Sequence, residues 1–419
     1  MPRLYALLTL TVTLLLGYGL AQQTTVEYWH INSATFGAQA VDEAIEAFHA
    51  EHPDIQVVER FQEGSYGGLL TNLQAAIAGG NPPAIAQIGY NFRNFAIEEL
   101  PHAPIDQFSG QEGYQEYIDG FVDGVLGLGQ DSDGAQHAIP LAISIPMLFY
   151  NADVFEQAGL DPNDPPSTWA EVREAAKQIT EATGIYGIGI QISNSNNWVP
   201  QSLIESNGGA IQAENGEIAV DSPESIEAFQ YWQDLAQVDR TLPVVTDAEQ
   251  EQAFLAGQLA MYVRTSASLA NYTEQSNFDM RTAPFPTWGD KPRRVASGGN
   301  ALFIFADDPE VQRAAFEFVR FLTGAQGQTI WVRDTGYLPV ADGISDDPEY
   351  LADFFADNPL IQPALDQLTD SVAWQPLPGD RGFEAEQVLI NARQSILNGA
   401  PVEETLSNAA SEMTRILDQ

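Results

Sequence analysis

The chain has 419 residues, with 58 acidic side chains against 17 basic ones, a net charge of −41 and no cysteine. A field of that sign repels nucleic acid and anionic membrane surfaces, which are held by clustered lysine and arginine; here only Lys177 and Lys291 are lysines. The missing cysteine excludes disulfides, thiolate metal sites, cysteine nucleophiles and the thiol that carries a bacterial lipid anchor.

Hydrophobic residues make up 44% of the chain and aromatic residues 10%, enough for substantial cores, so the charge does not mean disorder. The length calls for two domains. The acids are scattered, as in DEAIEAFHAEHPD and DDPEYLADFFAD, and read as solvated faces suited to a salty medium that screens their repulsion.

The chain opens with Arg3, an almost wholly apolar run from Leu4 to Leu16, and the small-residue pattern Gly19-Leu20-Ala21. That is the pattern of a secretory signal peptide over 1–21, cut before Gln22. The apolar run falls short of the roughly 20 residues a membrane-spanning helix needs. The expectation is a periplasmic protein secreted through a cleaved signal peptide, and not a lipoprotein.

Beyond the signal, short β-rich runs alternate with amphipathic helices. TTVEYWHI reads as a strand, and AVDEAIEAFHAEHPD as a helix with Val41, Ile45 and Phe48 on one face, ending at Pro53. IQVVERF is a second strand, LLTNLQAAIAGGNPP a helix stopped by Gly79-Gly80, and AIAQIGY a third strand. This alternation implies parallel pairing with right-handed crossovers. DSDGAQHAIP reads as a short hairpin turn, and a second α/β unit begins near residue 140. It contains the strand SIPMLFYN, a helix closed by Gly159, a helix capped by Ser167 or Thr168 with Glu171, and the strand IYGIGIQI. Residues 221–258 read as helical, LAMYVRTSASL as a strand-to-helix junction, ALFIFADD as a strand, PEVQRAAFEFVRFLTG as a helix, and 380–419 as mostly helix. Two lobes without a linker require the chain to cross between them more than once.

Seven segments in order, VEYWH, AIEAFHAEHPDIQV, AGGNPPAIAQI, SIPMLFYNADVFEQAGLDPNDPPSTWAEV, AFLAGQLAMYVRTSASLAN, ASGGNALFIF and DTGYLPV, resemble the family 1 extracellular solute-binding proteins of ABC importers, most of all their glycerol-phosphate-binding members. The resemblance implies an α/β, two-lobed periplasmic-binding-protein fold of type II-like topology, with a ligand cleft and a hinge between the lobes. The expected lobes are 22–138 with about 270–330, and about 139–269 with 331–419. It further implies a monomer that binds a small solute (a sugar, a polyol or a glycerol phosphate), docks on the transmembrane subunits of an ABC permease, and needs no cofactor. The same physics follows from the α/β reading, since ligands collect at the carboxyl ends of strands and hinged domains close on them.

The resemblance also nominates site residues. Tyr66, on a glycine-flanked turn, and Tyr337, in TGYLPV, match tyrosines that contact ligand in the family, while Ser144 matches a ligand-binding serine. Tyr90 closes the third strand where glycerol-phosphate-binding members carry a glutamate, which puts that ligand in doubt. Trp198, in the polar stretch SNSNNWVPQ, offers a stacking face or a core side chain. Ser266 opens a helix, as hydroxyl ligand or cap. Gly298 and Gly299 allow close backbone approach to a ligand, or form a turn. Arg381 roughly matches the family's phosphate-binding arginine, with Arg264 as a second candidate; either also suits a surface ion pair.

Enzyme readings lack a constellation. The five histidines show no H-E-x-x-H pattern, and the G-x-S-x-G and phosphate-loop motifs are absent. Asp131 and Asp133 before Gly134 lack the downstream glutamate of a calcium loop. A secreted carbohydrate-active enzyme stands as the alternative to a binding protein, with a neutral sugar or polyol slightly favoured over a phosphate as ligand.

Overall fold

The structure, a computed structural model, describes residues 23–34, 36–122, 124–192, 196–213, 215–379 and 381–418. The expected signal peptide and its cleavage point before Gln22 lie outside the described residues.

Among the described residues ten strands form two sheets. The larger holds β1 (Thr24–His30), β2 (Ile55–Phe61), β3 (Ile85–Gly89), β4 (Ile139–Ser144), β9 (Val295–Ile304) and β10 (Ser371–Ala373). β1 pairs in parallel with β2 and β3, whereas β9 runs antiparallel to both β3 and β4. The smaller sheet has the order β6 (Tyr186–Ile190), β7 (Leu259–Thr265), β5 (Pro146–Asn151) and β8 (Met280–Pro284). β1 alternates, with Val26, Tyr28 and His30 turned inward, while every residue of β3, β4, β5 and β9 is buried. Strands covered on both faces read as continuous apolar runs, as AIAQIGY and SIPMLFYN do for β3 and β5; β4 is not among the expected strands, and of β9 only its ALFI end is.

Several helices follow the expected signals, whereas 239–246, inside the span 221–258 read as helical, is not helix. Helix Ala38–Glu51 buries Val41 and Phe48. Thr168 and Glu171 form a full capping box on helix Trp169–Thr183, worth about 1 kcal/mol. Helix Pro309–Thr323 packs on β1, β4 and β9, and the C-terminal helices Gly382–Leu397 and Val402–Leu417 pack on helix Pro223–Gln233.

The sheet changes fall elsewhere than the expected lobe boundaries. β4 at Ile139–Ser144 still belongs to the larger sheet, because its partner is β9, far along the chain. A single residue, Ile145, separates β4 from β5 in the smaller sheet. β8, within the segment expected to join the first lobe, pairs with β5 in the smaller sheet, and helix Ala325–Thr335 packs on Ala38–Glu51 beneath the larger one. These pairings are long-range and leave no local trace.

Candidate functional site

A cavity of about 300 Å³ lies between the sheets, bounded by residues from both. Part of its wall sits where strands end: Ile31 follows β1, Asn91 and Phe92 follow β3, Ser144 closes β4, Gln191 follows β6 and Thr265 closes β7. Backbone groups and loops are free to face a ligand at such ends.

Five expected residues meet here: Tyr66, Ser144, Trp198, Gly298 and Tyr337, with Gly299 beside them. Tyr66 stands in the first turn of helix Ser65–Ala78, and its hydroxyl accepts from Asn300 Nδ2 of β9 at 2.9 Å. The turn that places it passes through the left-handed region at both Gly64 (φ 83°) and Ser65 (φ 57°); a serine held there is a local strain of the kind found at ligand sites. Tyr337 follows Gly336 (φ 74°), stacks on Trp331 with centroids 6.2 Å apart and meets Phe36 edge-on at 5.9 Å. Burial raises the pKa of both phenols, so they stay neutral.

Trp198 begins helix Trp198–Ser206, which is zipped to the start of β9 on one face. Trp198 Nε1 donates to the Ala296 carbonyl at 2.7 Å, Ser202 Oγ accepts from Ala296 N at 2.9 Å, and Ser206 Oγ donates to the Arg294 carbonyl at 2.9 Å. The spacing of four keeps all three on one helix face. Helix Gly382–Leu397 holds the other side: Glu386 accepts from Asn197 N at 3.0 Å, and the fully buried Arg393 donates to the Asn196 carbonyl and to Asn197 Oδ1. Gly299 has φ 121°, and a Cβ there would stand 2.0 Å from the Ala142 carbonyl oxygen, so β4 and β9 approach this closely only over glycine.

Tyr90, Ser266 and Arg381 do not border the cavity. Tyr90 is buried beneath Gly299, its hydroxyl donating to the Ala142 carbonyl at 3.0 Å. Ser266 is fully buried and ties β7 to the β4–β5 junction through Ile145, while its neighbour Thr265 takes the wall. Arg381 forms an i,i+3 ion pair with Glu384 at 2.7 Å. Arg264 is clamped by Asp247 and Glu251 and also lies off the wall.

Sequence reading missed Phe36, Asn91, Phe92, Gln191, Asn196, Thr265 and Trp374. Asn91 and Phe92 carry the same strand-end signal that selected Tyr90. Trp374 is, like Trp198, an aromatic in a polar and proline-rich stretch.

No charged side chain is among the described residues lining the cavity, and six are aromatic: Phe36, Tyr66, Phe92, Trp198, Tyr337 and Trp374. Asn91 Oδ1 and Gln191 Oε1, on lining residues, are buried without a hydrogen-bond partner among the described residues. Among the described residues no cluster of three or more His, Cys, Asp or Glu could hold a metal ion, and no helix is long and apolar enough to cross a membrane.

Residues 43–362 match the model of the bacterial extracellular solute-binding proteins. The chain belongs to that family. It is 28% identical over 372 residues to the sn-glycerol-3-phosphate-binding periplasmic protein UgpB of Escherichia coli K12, covering 86% of this chain and 83% of that protein. Among solved structures it is similar to Mycobacterium tuberculosis UgpB in complex with glycerophosphocholine, with a TM-score of 0.85, 26% identity, and coverage of 94% of this chain and 99% of that one. The cyclic alpha-maltosyl-1,6-maltose binding protein of Arthrobacter globiformis shares the fold at a TM-score of 0.81 and 24% identity, with 94% and 99% coverage. The architecture is thus the two-lobed periplasmic solute-binding fold, and the cavity occupies the cleft between its lobes. The protein is an extracytoplasmic solute-binding protein, of the kind that binds a small solute and works with an ABC permease. Its relatives are substrate-binding proteins rather than enzymes.

Proposed function

We propose that this solute-binding protein captures a neutral saccharide or polyol in the periplasm, as a monomer freed of its signal peptide, and closes on it for delivery to the permease. One observation carries the choice of ligand: the cleft wall is aromatic and uncharged among its described residues. A buried phosphate dianion without a countercharge is prohibitively costly, whereas aromatic faces suit the apolar faces of sugar rings. The unpartnered amide oxygens of Asn91 and Gln191 favour the same ligand class, because they need donors and hydroxyls supply them. In this reading Tyr66, Trp198, Tyr337 and Trp374 form the platforms. Ser144, Thr265 and the backbone at Gly298 and Gly299 read hydroxyls.

A glycerophosphodiester is the second reading. It is favoured by the likeness to the glycerophosphocholine complex and by the aromatic cage, which would suit a quaternary ammonium group. A thermal-shift screen of mono- and oligosaccharides, polyols, glycerol 3-phosphate and glycerophosphocholine separates the readings. At a hundredfold excess over Kd a true ligand stabilises the fold by about 2.7 kcal/mol. A shift with neutral saccharides is expected; shifts with the phosphate compounds and none with any neutral saccharide would overturn the saccharide reading.

A further inference from the structure

A second cavity, of about 490 Å³, adjoins the first and has the opposite character: it is bordered by Arg93, Asn94, Glu205, Arg294 and Gln375. Its elements continue those of the cleft. Phe92 lines the cleft and Arg93 the second cavity; Trp374 lines the cleft and Gln375 the second cavity. Helix Trp198–Ser206 puts Trp198 in one and Glu205, two turns on, in the other.

In a chain with 58 acidic residues, Arg93 has no carboxylate within ion-pair distance among the described residues. Its Nε and Nη2 donate only to the side-chain oxygen of Asn94, at 3.1 and 3.0 Å. Half-buried without a countercharge, its guanidinium is held below its ordinary pKa. The bond to Arg93 also fixes the Asn94 amide, leaving its NH2 group directed elsewhere with no partner among the described residues. Arg294 meets one carboxylate, Glu205, at 3.6 Å through Nε, and its two terminal nitrogens have no partner among the described residues. Glu205 is the one acid on this wall among the described residues. Burial raises its pKa, and Gln201 Nε2 donates to its Oε1 at 2.8 Å. Among the described residues the wall therefore presents two guanidinium groups and an amide donor against one carboxylate. An oxyanion with several lone pairs is the chemical complement of that set.

We propose that this cavity is an oxyanion site, separate from the aromatic cleft, in which Arg93, Arg294 and the Asn94 amide bind a phosphate or carboxylate group. The group arrives either as a free anion or as an acidic substituent of the solute held next door. The long-range field of the protein opposes anions, so the site operates where salt screens that field and the local donors dominate.

The test uses the mature protein in 150 mM salt, titrated with inorganic phosphate by calorimetry and followed by melting temperature. Saturable binding of one phosphate is expected. Arg93→Gln should weaken it by at least about tenfold, as loss of a charge-assisted donor implies, while Arg415→Gln, an exposed surface control, should leave it unchanged. Should Arg93→Gln fail to fold, Arg294→Gln is expected to lower the affinity in the same direction. A neutral sugar that binds the cleft and its phosphorylated derivative distinguish the sources. Tighter binding of the derivative, lost in Arg93→Gln, assigns the anion to the solute; additive, independent binding of sugar and phosphate assigns a free anion. No saturable phosphate binding to the wild type, or equal binding by wild type and Arg93→Gln, overturns the proposal. The phosphate arm needs no saccharide, so it is read independently of the ligand reading above.

Discussion

Trp198 and Gly298 meet where the lobes join: a Cβ on Gly298 would stand 3.0 Å from the indole Cε2 and Cζ2, and 2.9 Å from Ser144 Oγ. The glycine therefore sets how closely β9 can pass between an aromatic platform and a hydroxyl. Gly298→Ala should crowd both, at a cost of about 1–3 kcal/mol in stability. Affinity for the cleft ligand should fall by more than tenfold. Urea unfolding and calorimetry read the two effects; an alanine variant that binds as tightly as the wild type would show that the gap is slack.

The indole of Trp198 has a packing role and a binding role, which a conservative change separates. Trp198→Phe keeps an aromatic face but removes the 2.7 Å bond to the Ala296 carbonyl, costing about 1–3 kcal/mol. Ligand addition should change tryptophan fluorescence in the wild type, because Trp198 and Trp374 both line the cleft with centroids 6.4 Å apart. In the variant the change should shrink. An identical fluorescence response would place the ligand away from Trp198.

The contrast between Trp198 and Ser266 shows what the sequence could and could not reveal. Elements were readable because their signals are local: continuous apolar runs for the buried strands, and Thr168 with Glu171 for a helix start. Tyr66 and Tyr337, on glycine-bearing turns, were nominated by the family resemblance. Which atom faces the cleft is not local. Along β7 and its exit, Thr265 lines the cleft and Ser266 is buried against Ile145, a difference of one residue that only the β5–β7 register decides. Tyr90 sits at the expected strand end, but its ring lies under Gly299 because β9 inserts between β3 and β4. That pairing joins segments some 200 residues apart, and nothing near Tyr90 announces it.

Arg381 is off the cleft wall and paired with Glu384 on the surface of its helix. Arg381→Ala should leave affinity for a neutral saccharide within about twofold and stability within about 0.5 kcal/mol, as expected for an exposed ion pair. Calorimetry and melting temperature are sufficient. A large loss of affinity would mean that the closed form carries Arg381 into the cleft.

Glu386 couples the cleft to pH through the helix that holds Trp198. Burial pushes its carboxyl up to about 7, against the lowering effects of the Asn197 N–H and of Arg393. In the unfolded chain a glutamate titrates near 4.3. Between those values the folded state holds a proton that the unfolded state has released, so the stability contributed by this group falls as pH rises from about 4 to 7. His30 and His102 act in the opposite sense: burial lowers their pKa, so they favour the folded state as pH rises toward 6.5. Comparison with Glu386→Gln, whose amide oxygen can still accept from Asn197 N, cancels the histidines. Relative to that variant the wild type should lose about 1–3 kcal/mol between pH 4 and 7.5, allowing for solvent screening of a half-buried group. Urea unfolding across that range measures the difference, and parallel stability profiles would mean that Glu386 ionises as an ordinary surface carboxylate.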